Sequence, residues 1–542
     1  MKNYLSKWGS LLIVLLVGLL FVACSNEPTS NSNEDPEANQ EDSSTEQNVI
    51  RVTMDSDIDN LDPYAFKSDA AQIVVDATYE TFVDFGSSED SEGTIIANTD
   101  EVVPNLTDYE ISEDGTVVTL KVNSGATFTN GDPVDAEAVA FSIERALTGG
   151  GYSALLWGII TVSSMDQVEV VDDSVVITLE QGSPMTEKVL PLALNVPVSP
   201  SVTQENATDA DPWANDWYRN NILGTGPYLL SDWTPGVEYR LSPAPNYWNE
   251  DKLKNDGVIV RVVQDAQQRL ALLKQGAVDV ALGLPPRNLA ELKEDPEITV
   301  YDFPSTNTNY LVMNNDVAPF DDPLVRQAVN LAIDSDNLIN NVLYGFARPL
   351  NSVVPEGMPT HLDVVGDNAY NIEKAKELLE EAGVSGFSTE LYVNTSRTED
   401  QQVAVWIKDA LEQIGINVEI NTVSDAAYRE NQQSGVMPMF IEYWFSWVND
   451  PFFQMFWMFT SDAATNAAKY KNPEVDELIA QGMYELDETK REELSHKLQQ
   501  MIVEDAPIAL LYQRNYVVAA NSEIKGMNRW PDQHIRFHTL HK

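Results

Sequence analysis

The one thiol in 542 residues, Cys24, directly follows a 13-residue apolar run at positions 11–23, which is itself preceded by Lys2 and Lys7. Whatever follows Cys24 must fold without a disulfide, without a cysteine-based metal site and without a cysteine nucleophile. The run is too short for a spanning helix, which needs ~20 apolar residues. Its positive flank and the small Ala23 at its end describe a secretory signal, residues 1–23, that is removed on export. The chain is therefore expected to work outside the cytoplasmic membrane.

Composition narrows the body of the chain. A hydrophobic content of 43% and 9% aromatic residues fit a folded protein, and the length suggests about three or four structural units. No second stretch approaches spanning length, so a soluble body tethered only at its start is expected. The formal charge is −52, and loss of Lys2 and Lys7 with the signal lowers it by two more. Nucleic acid is excluded as a partner, because phosphate binding needs a basic footprint. The acidity has three readings: a cationic ligand, a disordered acidic tail, or a surface adapted to saline or alkaline surroundings. Only seven of the 85 acids lie in residues 25–48, and the rest are scattered through every later segment. The third reading is favoured, since net charge speaks to solvent more than to fold.

Residues 24–48 read as a disordered acidic tether, rich in Ser, Asn, Gln, Glu and Pro and without a base. As a flexible coil the spacer would reach roughly 25–30 Å. The junction Phe21-Val22-Ala23-Cys24 resembles a bacterial lipobox, in which the thiol takes a diacylglycerol, although Phe21 departs from the usual Leu. The alternative is an incidental cysteine in an ordinary signal. Beyond the tether, a strand is expected at 49–53, alternating strands at 117–122 and 174–179, and a helix at 135–146. A second helix at 371–382, stopped by Gly383, leads to a strand at 389–393.

No motif for covalent chemistry is present. Gly-x-Ser-x-Gly, His-Glu-x-x-His and a Walker lysine loop are all missing, and Gly224-Thr225-Gly226 lacks the third glycine of a dinucleotide fingerprint. The acids Asp55, Asp57 and Asp59 have the spacing of a calcium loop, but Phe66 stands where a bidentate Glu is needed, so a solvated turn is expected. His534, His538 and His541 could share a metal only on a helix, and that stretch reads as an extended, solvated tail. Neither an enzyme, a cofactor nor a metal site is called for.

The informative blocks are long and ordered. They include Phe128-Thr129-Asn130-Gly131-Asp132-Pro133-Val134-Asp135, Gly224-Thr225-Gly226-Pro227-Tyr228, Asn246-Tyr247-Trp248, Lys274-Gln275-Gly276-Ala277-Val278-Asp279, Pro323-Leu324-Val325-Arg326-Gln327-Ala328 and Tyr470-Lys471-Asn472-Pro473. Through these blocks the sequence resembles the family 5 extracytoplasmic solute-binding proteins of ABC importers, the oligopeptide- and dipeptide-binding group. The resemblance implies an α/β fold of the periplasmic-binding-protein type (type II, cluster C), with two main lobes on a hinge and an inserted accessory lobe. It places lobe I at 49–87, 206–302 and 508–542, lobe II at 88–205, and lobe III at 303–507.

The same resemblance implies where a ligand would sit. Peptide binders of the family use an Asp in Trp-x-x-Asp-x-x-Asp-Pro to pair the peptide ammonium, and the matching stretch here is Trp444-Phe445-Ser446-Trp447-Val448-Asn449-Asp450-Pro451. Trp447 stands in place of the carboxylate, which puts recognition of a free α-amino group in doubt. Arg397 falls where dipeptide-type members hold the ligand carboxylate, a task that suits a guanidinium fork; the alternative is a surface arginine starting a helix. Nine aromatics crowd the seventeen residues 443–459, too many to face one pocket. Trp444 and Trp447 are the favoured ligand contacts, with Phe445 and Ser446 beside them. On the facing side, the family's peptide contacts come from the loop after Leu61-Asp62-Pro63, which Phe66, Lys67 and Ser68 occupy here, the alternative being an ordinary exposed loop; Asn309 and Tyr310 are further candidates that could equally belong to the hinge sheet.

The expected function is a monomeric, lipid-anchored receptor on the outer face of the cell membrane that delivers peptides to an ABC permease and ATPase. Two rivals stand beside it. One keeps the receptor but changes the cargo to an opine-like acid, an oligosaccharide, a metal chelate or a methylated amine. The other is a sensory or chaperone-like surface lipoprotein that moves nothing.

Overall fold

The structure, a computed structural model, describes residues 48–365 and 370–542. The signal, Cys24 and the tether up to residue 47 lie outside the described residues. Two strands organise the rest. Ile298–Met313, with 16 residues, and Ile508–Asn521, with 14, lie antiparallel at the middle of an eleven-stranded sheet. One wing of that sheet adds Val280–Ala281, Val49–Met54, Gly257–Val262, Glu238–Pro243 and Tyr228–Thr234; the other adds Met439–Trp444, Phe387–Asn394 and Ile416–Val423.

The register between the two long strands shifts twice, between Phe303 and Asn307 and again between Asn309 and Tyr310, and the first is the wider break. Pairing runs from Ile298 with Asn521 to Phe303 with Tyr516, then resumes at Asn307 with Arg514. Pro304 cannot donate to a ladder, so the break falls where the backbone has least to lose. The Gln513 amide fills the gap, donating to the Ser305 carbonyl and to the Glu356 carbonyl at 2.6 Å. Two continuous chains whose ladder lapses between the wings have the build of a hinge, an element that absorbs rotation between rigid bodies.

Residues 107–178 build a separate four-stranded sheet, Thr107–Ile111, Val117–Val122, Ser174–Thr178 and Val168–Val171, backed by the helix Ala136–Gly149. That helix begins where the sequence puts it, because the Asp135 carboxylate accepts the Ala138 N–H at 2.9 Å. Asn371 caps Ile372–Glu381 in the same way, and Gly383 at φ +72° ends the turn that follows. The expected strand 117–122 appears with those bounds.

The ordered blocks of the sequence are mostly joints of this scaffold. A Cβ on Gly224 would lie 1.8 Å from the Thr78 carbonyl oxygen, so only glycine lets that loop meet the helix end. Tyr247, Trp248 and Lys252 converge on Glu80 at 2.7, 2.6 and 2.9 Å. Asp279 accepts from Arg51 and from Lys542, fastening both ends of the described chain to one strand. Arg326 is buried and donates to three carbonyls, Phe320, Asp505 and Ala506, at 2.8, 2.7 and 3.0 Å.

The C-terminal tail departs from expectation. It is not solvated: Ile535, Phe537 and Leu540 are at most 2% exposed and fill the core beneath Ile50 and Val518. Asn255 pins it by donating to the Phe537 and Leu540 carbonyls, and burial drives the His538 imidazole down to about 3, keeping it neutral. Among the described residues, no helix is long and apolar enough to cross a membrane.

Arg326→Met should leave three buried carbonyls without their donor. Each orphan costs about 1–3 kcal/mol, so a loss of about 3 kcal/mol or more is expected from urea unfolding. A midpoint equal to that of the unsubstituted protein would mean that water replaces the guanidinium at no cost.

Candidate ligand-binding cleft

One wall is built by the helix Asp69–Thr78 and the loop before it. Ser68 is its cap, accepting the Ala71 N–H at 3.2 Å and donating to Asp59 at 2.6 Å. Its hydroxyl is thus committed to the helix. Lys67 is exposed, while Phe66 is half-buried and packs against the hydrophobic cores on both sides of it. The acidic turn before the loop is structural, because Asp57 accepts from Trp233 Nε1 and the Gly236 N–H.

The opposite wall is the strand Met439–Trp444 on the long strand Ile298–Met313, with Asn309 opposite Tyr443 and Tyr310 opposite Glu442. Asn309 and Tyr310 are 7% and 4% exposed, and burial raises the Tyr310 phenol well above its usual range. Their side chains support the wall from within. Arg397 opens the helix Thr398–Glu412, and its guanidinium pairs with Glu442 at 2.8 Å while lying 4.6 Å from the Tyr443 ring centre. Burial alone would lower the Arg397 pKa, but Glu442 more than reverses it and holds the cation firmly charged. Tyr443 is 46% exposed. Its phenol is raised by lost hydration, then lowered by Arg397 and raised by Glu442 and Asp69.

The segment after that strand carries the four expected aromatic-loop contacts. Trp444 is half-buried and donates Nε1 to Ser446 at 2.9 Å; Ser446, 4% exposed, donates on to Gln454 at 3.1 Å. Phe445 is half-buried beside them. Trp447 meets Tyr152 edge-on, ring centres 4.6 Å apart, so it joins the helix Gly151–Ile159 to this loop. Asp450 is fully buried, caps Pro451–Phe459, and is held ionised by Arg491 at 2.7 Å and Lys188 at 3.5 Å. Burial opposes that ionisation, yet the two cations win and lower its pKa. Lys188 also donates to the Asn449 carbonyl and the Asn449 amide donates to Thr99, so this end of the loop is clamped to positions 99 and 188.

The structure thus brings Trp444, Phe445, Ser446 and Trp447 together in one loop, and places Arg397 with Glu442 and Tyr443. Sequence reasoning missed Glu442, Asp400 and Asp69. Glu442 had a readable signal: it is the single acid inside the apolar strand Phe440-Ile441-Glu442-Tyr443-Trp444. The three tail histidines do not converge. His534 instead lies by Asp76 and Asp532, a group with metal-like spacing, but Arg536 already donates to both carboxylates at 3.0 and 2.6 Å. A cavity of about 440 Å³ lies elsewhere, lined by residues 327–510 alone, including Leu331, Leu378 and Ile508, and shares none of these residues.

A fold of this kind, with two long strands shared by both wings of one large sheet, has clear relatives. The family model for bacterial extracellular solute-binding proteins, family 5, matches residues 101–466, and the chain belongs to that family. It has the type II periplasmic-binding-protein fold. It is 28% identical over 475 residues to the probable D,D-dipeptide-binding periplasmic protein DdpA of Escherichia coli K12, covering 86% of this chain and 87% of that one. It is 26% identical over 501 residues to the glutathione-binding protein GsiB of Escherichia coli O1:K1, covering 90% and 93%. Among solved structures, Helicobacter pylori DppA in complex with the peptide STSA superposes with a TM-score of 0.76 at 25% identity, covering 91% and 98%.

Burial raises the Asp400 carboxyl to about 7, against the pull of Arg397 and helped by Glu399 and Glu442. The folded chain therefore holds a proton that the unfolded chain releases near pH 4, and stability falls as pH rises from about 4 to 7. Asp400→Asn should remove this penalty. At about 1.4 kcal/mol per unit, the variant should be about 2–4 kcal/mol more stable than the parent at pH 8 and equal to it near pH 4. Urea midpoints at the two pH values decide it, and a difference independent of pH would contradict the raised carboxyl.

Proposed function

We propose that this chain is the ligand receptor of an ABC importer for short peptides, held to the outer face of the cell membrane by lipid on Cys24 and acting as a monomer. The observation that carries the reading is the strand pair shared by both wings: two continuous strands whose ladder lapses between Phe303 and Asn307, with the exposed Asp69 on one side and Tyr443, 46% exposed, on the other. A ligand touching both walls favours the closed arrangement by its differential contacts, and that shape is what a permease and its ATPase can read. No covalent step is needed.

Peptide is favoured as cargo because relatives of this chain are named for D,D-dipeptides and glutathione, and the solved neighbour holds the peptide STSA. The lobe limits follow the same reading: lobe I at 49–87, 206–302 and 508–542, lobe II at 88–205, and lobe III at 303–507. One observation supports a second cargo. Trp447 replaces a carboxylate and is packed against Tyr152, so an ammonium finds an aromatic edge where a charge would serve it. An opine-like acid, an oligosaccharide, a metal chelate or a methylated amine would suit that surface better than a free α-amino peptide.

Mass spectrometry of ligand released from the purified protein tests the reading, with calorimetry against di- to pentapeptides. A retained peptide, or stoichiometric peptide binding, supports it; a retained non-peptide with no peptide response favours the second cargo. Trp447→Asp should strengthen binding of free α-amino peptides over N-acetylated ones by about tenfold, the worth of roughly 1.4 kcal/mol of new pairing. Equal response of the two peptide forms would mean that the ammonium sits elsewhere.

A further inference from the structure

A cavity outside the cleft combines an apolar floor with an acidic mouth. It holds about 440 Å³ and is lined by the helices Pro323–Ala332, Ser335–Asn341 and Ile372–Glu381, the end of Glu488–Asp505 and the start of the strand Ile508–Asn521. Sites for small molecules run from about 300 to 1,000 Å³, whereas a close-packed interior leaves few voids larger than a water molecule. The floor is buried, with Leu350, Val353, Ile502 and Ile508 each at most 4% exposed. The mouth meets solvent, because Asp336, Tyr370, Lys374 and Glu504 are exposed.

Hydrogen bonds fix these walls. Gln327 donates Nε2 to the Glu504 carbonyl at 2.6 Å, and Arg326 beside it donates to the Asp505 and Ala506 carbonyls, so the first helix and the end of Glu488–Asp505 are fastened together. Asn330 braces the floor: its Nδ2 donates to the Ile508 carbonyl at 3.1 Å and its Oδ1 accepts the Leu510 N–H at 3.0 Å. Both amides are therefore spent on the scaffold. The carboxylates at the mouth are not. Asp334 accepts only from its own turn, the Asn337 N–H and Nδ2, both at 2.9 Å. The carboxylates of Asp336 and Glu504 make no hydrogen bond or ion pair among the described residues. Lys374 is the one base among the described lining residues, and it reaches Glu377 at 3.2 Å. Three acids thus share the mouth with a cation that is already paired.

An acidic rim alone is what a chain of 85 acids and 33 bases shows on many faces. Set over a buried apolar floor, it selects among ligands: an anion is repelled, a neutral apolar molecule gains only the floor, and an ammonium gains both. We propose that this cavity is a binding site, separate from the cleft, for a small primary amine with an apolar body. The body packs between Leu331, Leu378 and Ile508, and the ammonium sits at the mouth with Asp334, Asp336 and Glu504. The hydroxyls of Ser335 and Tyr370 line the same cavity and can accept from the ammonium as well. Since the walls are held in advance, little ordering opposes binding. The site goes beyond the peptide-receptor reading and does not rest on it.

The test uses 2-phenylethylamine, with 2-phenylethanol and 3-phenylpropanoate as its neutral and anionic matches, by calorimetry and thermal shift on the whole mature protein. The amine should bind at a single site, raise the melting temperature and bind at least about tenfold more tightly than the alcohol, while the acid should not bind. Asp336→Asn combined with Glu504→Gln removes two exposed charges that hold nothing in the fold, and should bring the amine to within about threefold of the alcohol. Leu331→Trp fills the cavity and should abolish binding of both; if that variant does not fold, the charge variant decides alone. Amine and alcohol binding alike, or an acid that binds as well as the amine, would overturn the proposal. Amine affinity unchanged in the charge variant would overturn it by placing the amine elsewhere, and so would a parent protein that none of the three probes binds or stabilises. No probe is a peptide, so none of these results bears on the peptide-receptor reading, and failure of that reading would leave this site standing.

Discussion

The long strands Ile298–Met313 and Ile508–Asn521 are the constraint on which the rest of this structure depends. They are the central members of the large sheet, so each wing is assembled on one end of the same pair of chains. Antiparallel ladders are stiff across their hydrogen bonds, and rotation can only be absorbed where the ladder is interrupted. The interruption at Pro304, Ser305 and Thr306 is one such place, and Gln513 keeps it ordered by bonding to Ser305 and Glu356. Glu356 is also the partner of Arg348, so Gln513 at the interruption and the Arg348 guanidinium belong to one network.

The second feature is how so acidic a chain uses its few bases. Several are spent inside: Arg145 with Asp62, Arg491 and Lys188 with Asp450, Arg536 with Asp76 and Asp532. These pairs remove charge from the interior, and breaking one would leave an uncompensated ion. The surplus of acids then remains outside, where salt screens its self-repulsion. The Asp450 group also fixes the aromatic loop, since it caps the helix that follows the loop while Lys188 donates to the Asn449 carbonyl within it. Trp447 is set by this clamp as much as by its own packing.

Much of the fold was legible because it is written in local chemistry. Asp135 and Asn371 announce helix starts, Gly383 a helix end, and alternating Val117 to Val122 a half-buried strand, all readable within a few residues. The tail was not legible, because Ile535, Phe537 and Leu540 look like scattered apolar residues until a core hundreds of positions earlier is set beneath them. The cleft divides the same way. Arg397 and the aromatic loop stood out by residue type and order, but Ser68 as a cap, Tyr310 as core and Ser446 as a link to Gln454 depend on partners distant in the chain or on burial. Glu442 mattered only once Arg397 was seen beside it.

That pairing changes how recognition should be reasoned about. A family position tells which side chain can reach a ligand, whereas the available charge depends on what already neutralises it. Arg397 reaches the cleft but arrives with Glu442 and, at 3.9 Å, Asp400. A ligand carboxylate placed there would compete with two resident acids and displace at least one into a drier place, at a cost close to the gain.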